Sequence, residues 1–149
     1  MRNLIVALAT GLSIIVSASN TKAQDNVDTD NIRSLIFAQS QLHNVPTNFA
    51  DAIIYVESRY NPKVRGAKGE YGLGQILCST ARSLGYDKKC DGLKDPETNL
   101  KYTMLYLRQA LDTSKNDLCY AAAIYSSGSE DKPRKPTAYC RLVMKAMHG

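Results

Sequence analysis

Residues 57–76 read ESRYNPKVRGAKGEYGLGQI, with an Asn-Pro pair and four glycines in a short stretch. Glycine and proline are the strongest local breakers of regular structure, so neither a helix nor a strand can run through this segment. The chain therefore has to build its helices around a long internal loop. On both sides of the loop the apolar residues recur at helical spacing. Residues 28–43 read as a helix opened by Asp28-Thr29-Asp30, with Ile32, Leu35, Ile36 and Leu42 on one side. Residues 46–58 form a second, beginning at Pro46, apolar almost all round near its end and closing on Glu57. Helix resumes in LGQILCSTARSLGY (73–86) and stops at Gly85. The longest helix starts at Asp95-Pro96-Glu97 and buries Leu100, Met104, Leu107 and Leu111. Two more follow, residues 117–128 ending at Gly128 and residues 137–149, separated by the polar loop SEDKPRKP. No segment alternates as a strand does, and there is no internal repeat or linker. The expected fold class is all-α: one compact helical domain.

The first 23 residues stand apart. Arg2 is followed by the uncharged run LIVALATGLSIIV (4–16) and then SASNTKA, with Thr21 and Ala23 at the −3 and −1 positions of a cleavage site. That order is a secretory signal peptide, and the run is short for a membrane span, which needs about 20 residues. The expected organisation is a signal peptide over 1–23 and a mature domain over 24–149, exported, monomeric and without a stable membrane anchor. Losing Arg2 and Lys22 leaves 17 basic against 14 acidic residues. This mild excess sits mainly in Lys88-Lys89 and KPRK (132–135), without the dense arginines and interleaved aromatics of a nucleic-acid binder. Four cysteines in a small exported domain point to two disulfides. Three connectivities are open; Cys78–Cys90, closing a short loop, and Cys119–Cys140, tying two late helices, are favoured. With no CxxC and only His43 and His148 as histidines, no metal site is expected.

A carboxyl at the end of an apolar helix is partly desolvated, and desolvation raises its pKa. The negative end of the helix dipole acts in the same direction. Glu57 is therefore the candidate general acid, able to hold a proton near neutrality and give it to a leaving oxygen. The glycine-rich loop that follows would let backbone approach a bulky ligand and wall a cleft. The plainer reading of Glu57 is a surface carboxylate paired with Arg59 or Lys63.

The order of five segments weighs against the plainer reading. ESRYNP, GEYGLGQI, DPETNL with a downstream YL, AAAIYSSG and TAYC together resemble the catalytic domain of the soluble lytic transglycosylases, relatives of goose-type lysozyme. The resemblance covers residues 35–144. It implies a lysozyme-like helical fold with a substrate cleft, peptidoglycan glycan strands as substrate, a periplasmic location, and no metal or cofactor. Glu57 would be the catalytic acid and then base, oriented by Ser58. Tyr71, Gly72, Leu73, Gln75 and Ile76 would shape the cleft, with Gln75 making polar contacts to sugar. Tyr125 would face the acid, Tyr139 would flank it, and Asn99 would hold the cleft loop against the long helix. Two positions depart from the pattern. Ser126 replaces an asparagine, removing one amide contact. Gly74 stands where many members have methionine, which would open the wall, with Tyr71 compensating.

The implied reaction cleaves the β-1,4 bond between N-acetylmuramic acid and N-acetylglucosamine and leaves a 1,6-anhydro product. An inverting hydrolase would instead need a second carboxylate about 6.5–9.5 Å away, and Glu70 is the candidate. A non-catalytic wall-binding or assembly protein on the same fold is the third reading; it would show Glu57 exposed and salt-bridged. Small members of the family often open the wall for a secretion system or flagellum, which makes such machinery an expected partner.

Overall fold

The computed structural model describes residues 19–149 apart from Arg134, and of residues 19–27 the backbone alone. The apolar run expected as a signal peptide lies outside the described residues. Six α-helices follow in order: α1 (Ser19–Leu42), α2 (Thr47–Ser58), α3 (Cys78–Ser83), α4 (Pro96–Thr113), α5 (Leu118–Ser127) and α6 (Ala138–His148). A 3-10 turn over Cys90–Lys94 precedes α4. The described residues contain no strand, only isolated bridges from Tyr71 to Arg65 and Ile76. No helix among them is long and apolar enough to cross a membrane.

Local chemistry sets most boundaries. The Asp95 carboxylate accepts the Thr98 amide at 2.9 Å and Pro96 follows, the combination that starts a helix. Asp117 and Thr137 cap α5 and α6 in the same way, accepting from the amides of Tyr120 and Cys140. Gly128 ends α5 in the left-handed conformation. α1 departs from expectation: it starts at Ser19, and residues 28–30 lie inside it instead of capping it. Ile32 and Ile36 of α1 enter the core, but Leu42, the last residue of the helix, is 69% exposed.

α6 packs along α2, α5 packs on α4 and α6, and α1 covers α2 and α4. Phe49, Ile53 and Ile54 of α2 meet Leu100, Met104, Leu107 and Leu111 of α4 in one core, all fully buried. A second, smaller core (Ile76, Ala81, Tyr86, Leu93, Tyr102) lies beneath α3 and the 3-10 turn. Cys78–Cys90 staples that unit and Cys119–Cys140 joins α5 to α6, with Cα separations of 5.6 and 5.1 Å that suit the bond.

The expected helix over 73–86 shrinks to α3. Its first five residues are loop because Gly72 (φ 62°) and Gln75 (φ 47°) are left-handed. Tyr71 and Ile76 then exchange backbone hydrogen bonds across a tight turn, at 3.0 and 3.2 Å. Asn99 of α4 fastens this turn. Its amide donates to the carbonyls of Tyr71 (2.7 Å) and Leu93 (2.8 Å), and its oxygen accepts the Gly74 amide at 2.8 Å. A Cβ on Gly72 would lie 2.7 Å from that amide nitrogen, so only glycine serves there.

Candidate active site

α2 stops at Ser58, one residue after Glu57, because Arg59 and Tyr60 both take left-handed backbone (φ 50° and 64°). Neither is glycine, so each conformation costs energy. Contacts on the Tyr60 hydroxyl offset that cost: it donates to Asp51 at 3.0 Å and accepts from Arg33 at 3.1 Å. The stop leaves Glu57 in the last turn of α2, half-buried, at the floor of a groove of about 380 Å³. The loop supplies one wall (Gly66, Glu70, Gln75, Ile76), and α5 and α6 supply the other through Tyr125, Ser126 and Tyr139.

The Tyr139 hydroxyl donates to Glu57 Oε1. Burial raises the Glu57 pKa above the ordinary carboxylate value; the Tyr139 hydrogen bond opposes this, and the charge of Glu70 adds to it. Burial, followed by the charge of Glu57, raises the hydroxyl pKa of both Tyr125 and Tyr139, so both remain protonated donors. Glu57 makes no salt bridge among the described residues, unlike the surface carboxylate of the plainer reading. Glu70 lines the same groove, and its Oε2 accepts the Lys68 amide at 2.9 Å.

Several expected site residues occupy other places. The Ser58 hydroxyl is buried and donates to the Ile54 carbonyl at 3.2 Å, so the hydrogen bond on Glu57 comes from Tyr139 instead. Leu73 is fully buried in the core, and Gly72 packs on Asn99. Tyr71 lies outside the groove lining, with the Arg65 guanidinium 3.4 Å from its ring centre. Gln75 reaches the groove, yet its amide nitrogen is held by the carbonyls of Gly72 (2.8 Å) and Val64 (3.2 Å). Gly74 opens no wall. A Cβ there would sit 2.1 Å from Thr103 Oγ1, because α4 already fills that space. The Gly74 carbonyl accepts the Tyr125 hydroxyl, which fixes that ring in the groove.

Tyr106 and Thr103 also belong to the site and its support. Tyr106 lines the groove with its ring 5.3 Å from that of Tyr125, and it belongs to the YL pair of the third block. Thr103 is a buried threonine on the inner face of α4, and nothing local marks it. No group of three or more His, Cys, Asp or Glu able to hold a metal occurs among the described residues.

Residues 34–139 match the family model of the transglycosylase SLT domain. Over 91 residues the chain is 34% identical to the soluble lytic murein transglycosylase of Escherichia coli K12, and 32% identical to that of Salmonella typhimurium. The matched stretches cover 56% and 57% of this chain and 14% of each relative, so the chain spans a small fraction of their length. The crystal structure of the 70 kDa soluble lytic transglycosylase of Escherichia coli is similar, with a TM-score of 0.60 and 28% identity. The match covers 78% of this chain and 18% of that one. An inactive mutant of the Pseudomonas aeruginosa lytic transglycosylase Slt shares the fold, with a TM-score of 0.62 and 19% identity over 77% of this chain and 20% of that one.

Proposed function

Because the chain belongs to the transglycosylase SLT domain family, we propose that its domain over 24–149 is a peptidoglycan lytic transglycosylase with Glu57 as its one acid and base. The observation that carries this reading is the half-buried Glu57 carboxyl at the groove floor, held by Tyr139 and in no salt bridge among the described residues. Protonated Glu57 gives its proton to the glycosidic oxygen as the bond from muramoyl C1 breaks. The carboxylate left behind is stabilised by the Tyr139 hydroxyl. It then takes the proton of the muramoyl C6 hydroxyl while that oxygen bonds to C1. A 1,6-anhydro ring forms, Glu57 is protonated again, and no water enters. The setting we infer is the periplasm, after removal of residues 1–23, as a monomer opening the wall locally for a secretion system or flagellum.

Glu70 supports a second reading, hydrolysis, since its carboxylate lines the same groove and acts on the Glu57 pKa. In that chemistry Glu70 would activate a water on the far face of the sugar. Its hydrogen bond to the Lys68 amide favours a wall role instead. The test is digestion of purified peptidoglycan by the mature protein, read by mass spectrometry, with Glu57→Gln as control. Anhydro-muropeptides that disappear in the variant are expected. Reducing-end products heavier by one water would replace the lyase with the hydrolase. Intact peptidoglycan in both digests would leave a binding protein.

A further inference from the structure

A second hollow, of about 590 Å³, lies where α1, α2 and α6 meet and, among the described residues, shares no lining residue with the groove. Its apolar part comes from Tyr55 and Val56 of α2 and from Leu142 and Ala146 of α6. Tyr55 is 39% exposed and Leu142 55%, so two large side chains face solvent inside one concavity. A concavity of this kind can seat one apolar side chain of a partner.

Charge says what fits it. Arg33, Arg59 and Lys145 ring the apolar part. Arg33 lies 3.6 Å from Asp51, which the Tyr60 hydroxyl also uses. Arg59 lies over the Tyr55 ring, 5.3 Å from its centre, and donates to its hydroxyl at 3.2 Å. Neither Arg59 nor Lys145 pairs with a carboxylate among the described residues. Asp51 and Asp30 both act on Arg33, whereas the Arg59 and Lys145 side of the hollow stays positive over an apolar floor, and its complement is an apolar anchor flanked by acids.

We propose that this hollow docks an acidic, amphipathic segment of another protein, with an apolar side chain seated on Leu142 and Ala146 and carboxylates meeting Arg59 and Lys145. A segment of this kind lies in a hydrophobic groove through anchors spaced by helical turns. Because the two cavities share none of the described residues, docking leaves the groove open, and the site tethers the enzyme to its partner without blocking it.

A random-peptide display library panned on the mature protein and counter-panned on the Leu142→Asp/Lys145→Glu double variant tests this. Both positions are exposed, and a thermal melt checks that the variant folds. Recovered sequences are expected to place Asp or Glu beside an apolar residue and to bind the wild type at least about tenfold more tightly than the variant. Failure to recover discriminating sequences overturns the proposal, as does recovery of neutral or basic ones. Two further results replace it with another occupant: saturable binding to anionic phospholipid vesicles lost in the variant, or a dimer in sedimentation lost in the variant. None of these readouts depends on catalysis, so they stand or fall apart from the digest.

Discussion

The Tyr139 hydroxyl donates to the Glu57 carboxylate, joining the first turn of α6 to the last turn of α2. This bond lowers the Glu57 pKa, while the charge of Glu70 raises it. The two neighbours can therefore be separated by the sign of their effects. Since Glu57 must begin protonated, the alkaline limb of the kcat/KM profile reports its pKa in the free enzyme. Tyr139→Phe is expected to move that limb to higher pH and to lower kcat about tenfold or more, the worth of one hydrogen bond to a charged group. Glu70→Gln is expected to move the limb to lower pH. A limb that does not move in either variant would detach it from Glu57.

Glu57 should also cost the fold stability. Its pKa is raised in the native state, so as pH rises the unfolded chain releases this proton first. Above the ordinary carboxylate pKa the native state binds more protons, and stability falls until the raised pKa is passed. Glu57→Gln is expected to melt at a higher temperature than the wild type at neutral pH, with the gap closing below the ordinary carboxylate range. Its activity is expected to fall by at least about 10²–10⁴-fold, the range for a lost general acid and base. A variant that melts lower at neutral pH would contradict the burial of this carboxyl.

Asn99 connects the loop and the 3-10 turn to α4 through three hydrogen bonds, those to Gly74 and Leu93 buried. Asn99→Ala would strand the Gly74 amide and take the side-chain donor from the Leu93 carbonyl, while the Tyr71 carbonyl would keep the Ile76 amide. An expected loss of about 3 kcal/mol or more follows from such stranded groups. Urea denaturation measures it, and a loss under about 1 kcal/mol would mean that water replaces the side chain.

Gly74 faces Thr103 too closely for any side chain. Gly74→Ala is expected to cost about 1–3 kcal/mol through overpacking. Thr103→Ala in the same chain removes the two nearest atoms and should recover part of that cost, giving a coupling term in a double-mutant cycle. Additive effects would show that the two positions do not meet.

What the sequence showed was whatever local chemistry decides. Asp95 before Pro96, Gly128 after an apolar run, and four buried positions along α4 all report their own surroundings. The groove residues Glu57, Glu70, Tyr125 and Tyr139 could be placed together through the order of five short segments. The failures lie where a distant residue overrides a local pattern. LGQIL reads as helix, but Asn99 on α4 holds it as a turn. Gly74 reads as open space, and only Thr103 of α4 shows it to be filled. Ser58 stands next to the acid in the chain, yet the helix turns its hydroxyl back to Ile54.

Glu57 and Tyr139 are separated by 82 positions. A chain is synthesised from its N-terminus, so α2 leaves the ribosome long before α6 exists. Through that interval the carboxyl lacks both its hydroxyl partner and the helix that covers it. Closing so long a stretch of chain is among the later steps of folding, since loop entropy opposes it until other contacts are made. The acid is thus armed last: an unfinished chain carries the glutamate but not the environment that makes it reactive.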